Sequence, residues 1–176
     1  MDAIDAIMTR RSVRKYKEKK IPDDIIKQLL EAAMQAPSAA NEQPWHFLVI
    51  TERKILEQVP AFHPHSHMLK EAPLAILICD DPELEIFKNR GILDCSAATE
   101  NVLLAAHALG LGAVWLGIYP VEERIAGMRR LLNMPSSVIP VSLVSVGYPN
   151  EKHGTDYRFK NERVHLNHWR TPAPYK

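Results

Sequence analysis

Residues 10–14 (Arg10, Arg11, Ser12, Val13, Arg14) place three guanidiniums and a hydroxyl within five positions. Guanidinium offers a planar fork of N–H donors that matches phosphate oxygens. In an extended backbone, Arg10, Ser12 and Arg14 face the same way. The same run also reads as an ordinary solvated basic face. A second group is the loop from Pro37 to Trp45 (PSAANEQPW), between an apolar helix pattern and an apolar strand pattern. There Ser38 and Asn41 can cap a turn or hold the edge of a ligand. A third is 110–117 (GLGAVWLG). Its spacing is not that of a dinucleotide fingerprint, and a strand follows where a helix is needed, so a Rossmann site is rejected. Gly117 ends that strand. A glycine there lets a flat ligand approach the backbone, or marks a bulge or tight turn.

The histidines carry less chemistry. His63, His65 and His67 alternate, but Pro64 interrupts them and no carboxylate completes a ligand set, so a loop near a substrate mouth is expected and no metal. His107 lies in an alanine-rich segment and reads as a satisfied interior histidine. Cys79 and Cys95 stand alone in their segments, which suits a reduced, cytoplasmic setting. The 22 basic and 21 acidic residues leave a net charge of +1. That balance gives no general pull toward nucleic acid or membrane. The basic run 10–20 could in principle bind nucleic acid, but no base-reading motif accompanies it. The apolar runs are too short to cross a bilayer, and the first residues lack a signal-peptide pattern.

The elements that must position these groups follow from periodicity. Residues 2–10 form a helix with Ile4, Ile7 and Met8 on one face. A second helix opens at Pro22, with Asp23 and Asp24 in its first turn. Ile25, Ile26, Leu29, Leu30, Ala33 and Met34 make its stripe, and Pro37 stops it. Strands are expected at 45–51, 73–80, 113–118 and 138–147, the second buried on both faces. A short helix falls near 52–59 and an amphipathic one at 120–132. The segment 94–109 is apolar on most sides, as in a helix buried all round, often between subunits. The last twenty-odd residues are too polar for core and rich in aromatics, which suits an arm on a neighbouring subunit. With no repeat or linker, residues 1–176 read as one α+β domain, with 155–176 as the arm.

Three stretches occur in order: R-R-S-x-R after the first helix, P-S-A-x-N-x-Q-P-W, and D-C-S-A-A-x-x-N followed by G-L-G-x-x-W-L-G. On these the chain resembles the nitroreductase superfamily of flavoproteins over essentially its whole length. The resemblance implies a mixed, mainly antiparallel sheet flanked by helices, in a domain-exchanged homodimer with FMN at two sites between subunits. Arg10 and Ser12 match positions that hold the FMN phosphate, and Arg11 a ribityl contact. Arg14 matches the cation beside the pyrimidine ring. Pro37, Ser38 and Ala39 match a loop from the partner subunit that covers the ring, with Asn41 counted as cofactor-binding too. Trp115, Leu116 and Gly117 match the strand end under the flavin, with the Gly117 N–H near N5. Arg158 matches a second phosphate ligand, with Arg163 as the alternative. The chain departs from the pattern at Ala39, where many relatives carry a second serine, and it lacks the helical lid of larger relatives.

The implied activity takes hydride from NADH or NADPH and reduces a small nitroaromatic, quinone or enone-like compound by a ping-pong mechanism. The flavin supplies that chemistry, so no protein acid or base is expected. Related possibilities with the same cofactor are a reductive dehalogenase, a flavin-modifying enzyme and a non-catalytic flavin-binding redox protein.

Overall fold

The structure, a computed structural model, describes residues 1–152, 154 and 156–175. The helices are α1 (Ala3–Thr9), α2 (Asp23–Met34), α3 (Arg53–Gln58), α4 (Gly91–Ala108) and α5 (Glu122–Leu132), and the strands β1 (Trp45–Ile50), β2 (Leu74–Asp80), β3 (Gly112–Gly117) and β4 (Ile139–Gly147). The strands form one sheet in the order β1-β2-β4-β3, every pair antiparallel. The parallel element of the expected mixed sheet is a single bridge from Ser12 to Ala113.

Period-two alternation splits the core into two layers. On β2, Leu74, Ile76 and Ile78 face α2 and α4, while Ala75, Leu77 and Cys79 face the layer holding Leu56, Ile125 and Met128. All seven β2 residues are buried, because β1 and β4 cover its edges and helices cover both faces. The β2–β4 register shifts between Ile78 and Cys79, where Val141 has no partner on β2. This is why Val141 and Val144, of opposite parity, share one layer.

Local signals set the helix ends. The Asp2 carboxylate accepts the Asp5 N–H at 2.9 Å and caps α1. Pro22 precedes the acidic first turn of α2. Asn133, in the left-handed region at φ 51°, closes α5. The segment 94–109 proves to be helical from Gly91, and 120–132 from Glu122.

The Ile4, Ile7 and Met8 face of α1 points outward, at 68%, 55% and 57% exposure, and the buried residue of α1 is Ala6. Within 94–109 only Ala108 and Leu109 are exposed, while Leu93, just ahead of that segment on α4, is 62% exposed. These apolar side chains on α1 and at the start of α4 have no cover among the described residues. Among the described residues, no helix is long and apolar enough to cross a membrane.

Candidate functional site

The basic segment leaves α1 and runs extended beside β3. Val13 donates its N–H to the Ala113 carbonyl at 3.0 Å. Val13 and Tyr16 are buried, while Ser12 is half-buried and Arg14 exposed. The Tyr16 hydroxyl, in turn, donates to the Val13 carbonyl at 2.7 Å and sits 2.6 Å from the Ser145 hydroxyl. A buried anchor on each side of Arg14 thus fixes where it leaves the backbone. The Glu151 carboxylate accepts the Arg14 N–H at 2.5 Å.

Arg14 opens onto a cleft of about 690 Å³ that it shares with Trp115, Leu116 and Gly117 at the end of β3. A side chain added at Gly117 would meet nothing within 4 Å, so the backbone there borders open space. The far wall is the three-histidine segment, with His63, His65 and His67 all lining the cleft. His63 itself is buried, and its Nε2 lies 3.1 Å from the Gly117 carbonyl oxygen. Burial, then the charge of Arg124, holds the His63 pKa below its ordinary value. A neutral imidazole bonded to a carbonyl carries its proton on Nε2. Arg124 donates from Nη1 to the same carbonyl at 2.8 Å.

Arg10 and Arg11 lie outside this cleft. Arg10 Nε is 3.4 Å from a Glu100 carboxylate oxygen on α4, without hydrogen-bond geometry. Arg11 donates to the carbonyls of Met8, Arg10 and Asp156. The Nε atoms of both are buried and without a hydrogen-bond partner among the described residues. Buried orphan guanidinium donors fit an anion such as a phosphate. Arg158 and Arg163 are both exposed. In that segment Tyr157 and Trp169 are 80% and 79% exposed. Thr155 and Lys176, the ends of the expected arm, lie outside the described residues.

The loop 37–43 is not brought to this cleft. Its Ala39 N–H points at both Asp94 carboxylate oxygens, 3.3 Å away, near the start of α4. The Ser38 hydroxyl accepts the Gln43 N–H at 3.0 Å, and the Asn41 side chain accepts from the Gln43 amide at 3.2 Å. Ala40, Asn41 and Gln43 have positive φ (47°, 56° and 50°). Such strain in non-glycine residues collects where a loop must hold one shape for binding. Pro37 is exposed and Ser38 and Ala39 half-buried.

Sequence reasoning missed Arg124 and the burial of His63. It also missed an acidic cluster at the start of α4, where Asp80, Glu85 and Asp94 are buried together. Burial, then the charge of Glu85, pushes Asp80 up to about 7. His107 is half-buried, satisfied by the Thr9 hydroxyl at 2.8 Å.

A family profile described as the Nitroreductase family matches residues 7–67 and 61–148. A Methanothermobacter thermautotrophicus protein with the provisional name NADH dehydrogenase/NAD(P)H nitroreductase is 50% identical over 169 residues, spanning 96% of this chain and 88% of its own. A solved structure from Clostridium acetobutylicum, provisionally an NADH oxidase, superposes with a TM-score of 0.91 at 43% identity over 94% of this chain and 100% of its own. A provisional nitroreductase from Desulfovibrio desulfuricans, solved in complex with FMN, superposes with a TM-score of 0.81 at 32% identity, covering 93% of this chain and 95% of its own.

Proposed function

Since this chain belongs to the nitroreductase family, we propose that it reduces a small electrophile (nitroaromatic, quinone or enone-like) with hydride from NADH or NADPH in a ping-pong cycle. It is an FMN-dependent NAD(P)H oxidoreductase, the class to which its relatives' names and the FMN complex point. When bound, FMN supplies the hydride chemistry, while the protein supplies position and field.

Arg10 and Ser12 hold the phosphate, with Arg158 as a second cation, and Arg11 faces the ribityl chain. The observation that carries this reading is the pair of buried Nε donors on Arg10 and Arg11 that make no hydrogen bond among the described residues, Arg10 being ion-paired with Glu100, together with a cleft whose Gly117 wall is open. Arg14 stands at the pyrimidine edge, where its guanidinium stays charged at any working pH and stabilises negative charge. Trp115 and Leu116 back the ring, and the Gly117 N–H meets its central nitrogen edge. No acid or base is assigned, because the one histidine buried in the cleft wall is committed to the Gly117 carbonyl.

A homodimer completes the site. Pro37, Ser38, Ala39 and Asn41 lie away from the cleft of their own chain and cover the cleft of the partner. The uncovered apolar faces of α1 and α4 support the same assembly.

The test is anaerobic stopped-flow reduction of the purified protein with NADH and with NADPH, followed by a panel of oxidants. Bleaching of the flavin by a nicotinamide and reoxidation by a nitroaromatic or quinone are expected. A protein that takes up no FMN on reconstitution, or FMN that neither nicotinamide reduces, overturns the reading.

A further inference from the structure

Arg124 is a cation that the flavin reading does not use and whose fold contact occupies only one of its guanidinium nitrogens. It lies in the first turn of α5 and lines the cleft of Arg14, Trp115 and Gly117. One guanidinium nitrogen, Nη1, is anchored to the Gly117 carbonyl at 2.8 Å. The same oxygen receives the His63 imidazole, itself only 1% exposed, so the anchor is held from two sides. The other guanidinium donors make no hydrogen bond among the described residues, and Arg124 has no ion pair among them. The cleft lining holds three fixed cations, Arg14, Lys15 and Arg124, against one carboxylate, Glu71.

A half-buried guanidinium with free forked donors in a concave, positively biased site attracts and orients anions. The FMN phosphate does not account for it, because the phosphate cations Arg10 and Arg158 are not in this cleft. Arg14 belongs to the ring edge. We propose that Arg124 receives an anionic group of the small molecule that reacts in this cleft. That group is a carboxylate on the electron acceptor or a phosphate of the nicotinamide donor. The cleft then selects anionic over neutral compounds of the same shape. The inference rests on the flavin reading above, since the cleft is taken as the reaction site.

The experiment uses the FMN-loaded protein and matched pairs. The acceptor arm compares 4-nitrobenzoate with 4-nitrobenzamide, read as Kd by calorimetry and as kcat/KM. The donor arm compares NADH with reduced nicotinamide riboside, which lacks phosphate, read in the reductive half-reaction. Wild type should favour the anionic member of one pair. Arg124→Gln keeps a donor for the Gly117 carbonyl and removes the charge. It should cut the anionic-to-neutral ratio in that pair by about tenfold, with higher salt acting in the same direction. Arg124→Lys should restore part of the ratio. A change in the acceptor arm assigns the carboxylate, and a change in the donor arm the phosphate. If neither ratio moves in Arg124→Gln while its melting temperature and FMN content match wild type, the proposal is overturned. Wild type that binds no FMN overturns the underlying flavin reading instead, and its visible spectrum reports this before either arm begins.

Discussion

Val13 packs onto the backbone of Gly112 so closely that a Cβ on the glycine would lie 2.6 Å from the Val13 Cβ and Cγ1. This contact, with the Val13 N–H on the Ala113 carbonyl, joins the basic segment to β3. Gly112→Ala must therefore push the two apart. It should cost about 1–3 kcal/mol, as overpacking does, and weaken FMN retention. Gly117→Ala is the contrast, since its methyl enters open space. Its stability should stay within about 0.5 kcal/mol of wild type, while FMN affinity falls. Thermal melts of the apoprotein and flavin titrations separate the two. Equal melting temperatures for Gly112→Ala and wild type would remove the close contact from the account.

Arg14 and Arg10 should separate potential from affinity. Arg14→Met keeps part of the stem packing and removes the charge. A charge-assisted contact is worth about 1.5–3 kcal/mol. If part of it acts only on the reduced state, the flavin midpoint drops by roughly 30–60 mV, with ~30 mV equal to ~1.4 kcal/mol for a two-electron couple. Arg10→Met should instead lower FMN retention and leave the potential of the bound fraction in place. Spectroelectrochemistry showing the reverse pattern would exchange the two roles.

The outward apolar faces make the oligomer testable. Ile7→Glu and, separately, Leu93→Glu place a charge where the dimer would bury 55% and 62% exposed side chains. An unpaired buried charge costs several kcal/mol, so sedimentation should show monomers, with FMN retention reduced about tenfold or more. A wild-type protein that sediments as a flavin-loaded monomer contradicts the two-chain site.

Asp80 sets a pH dependence of stability. Its pKa, about 7 in the fold against 3.8 in the unfolded chain, is raised by burial first and by Glu85 second. The native state therefore binds this proton more tightly than the unfolded state does. The stabilisation is fully present below pH 4 and is lost as pH rises through 7. Asp80→Asn carries no such titration. Relative to wild type it should gain stability between pH 4 and 8, on the order of 2 kcal/mol, about half of what ~1.4 kcal/mol per unit implies because the proton is coupled to Glu85. Denaturant melts across that range would show parallel curves if Asp80 were ionised in the fold throughout.

Much of the architecture was legible because backbone periodicity is local. The apolar run of β2, the stripe of α2 and the start and stop signals of α2 at Pro22 and Pro37 each depend on neighbours within a few residues. The segments proposed to hold the cofactor stood out for another reason: clustered arginines and the β3 glycines are unusual types at short spacing. The structure alone decided what covers each apolar face. Ile4, Ile7 and Met8 form a helical stripe whether they meet this chain's core or another chain, and here they point outward. It alone brought His63 and Arg124 to one carbonyl, across separations of 54 and 7 residues. A backbone carbonyl leaves no trace in residue type, since every residue has one, so only the path of the chain shows which side chains reach it. The raised pKa of Asp80 has the same origin: the carboxyl is ordinary in sequence, and burial beside Glu85 makes it unusual.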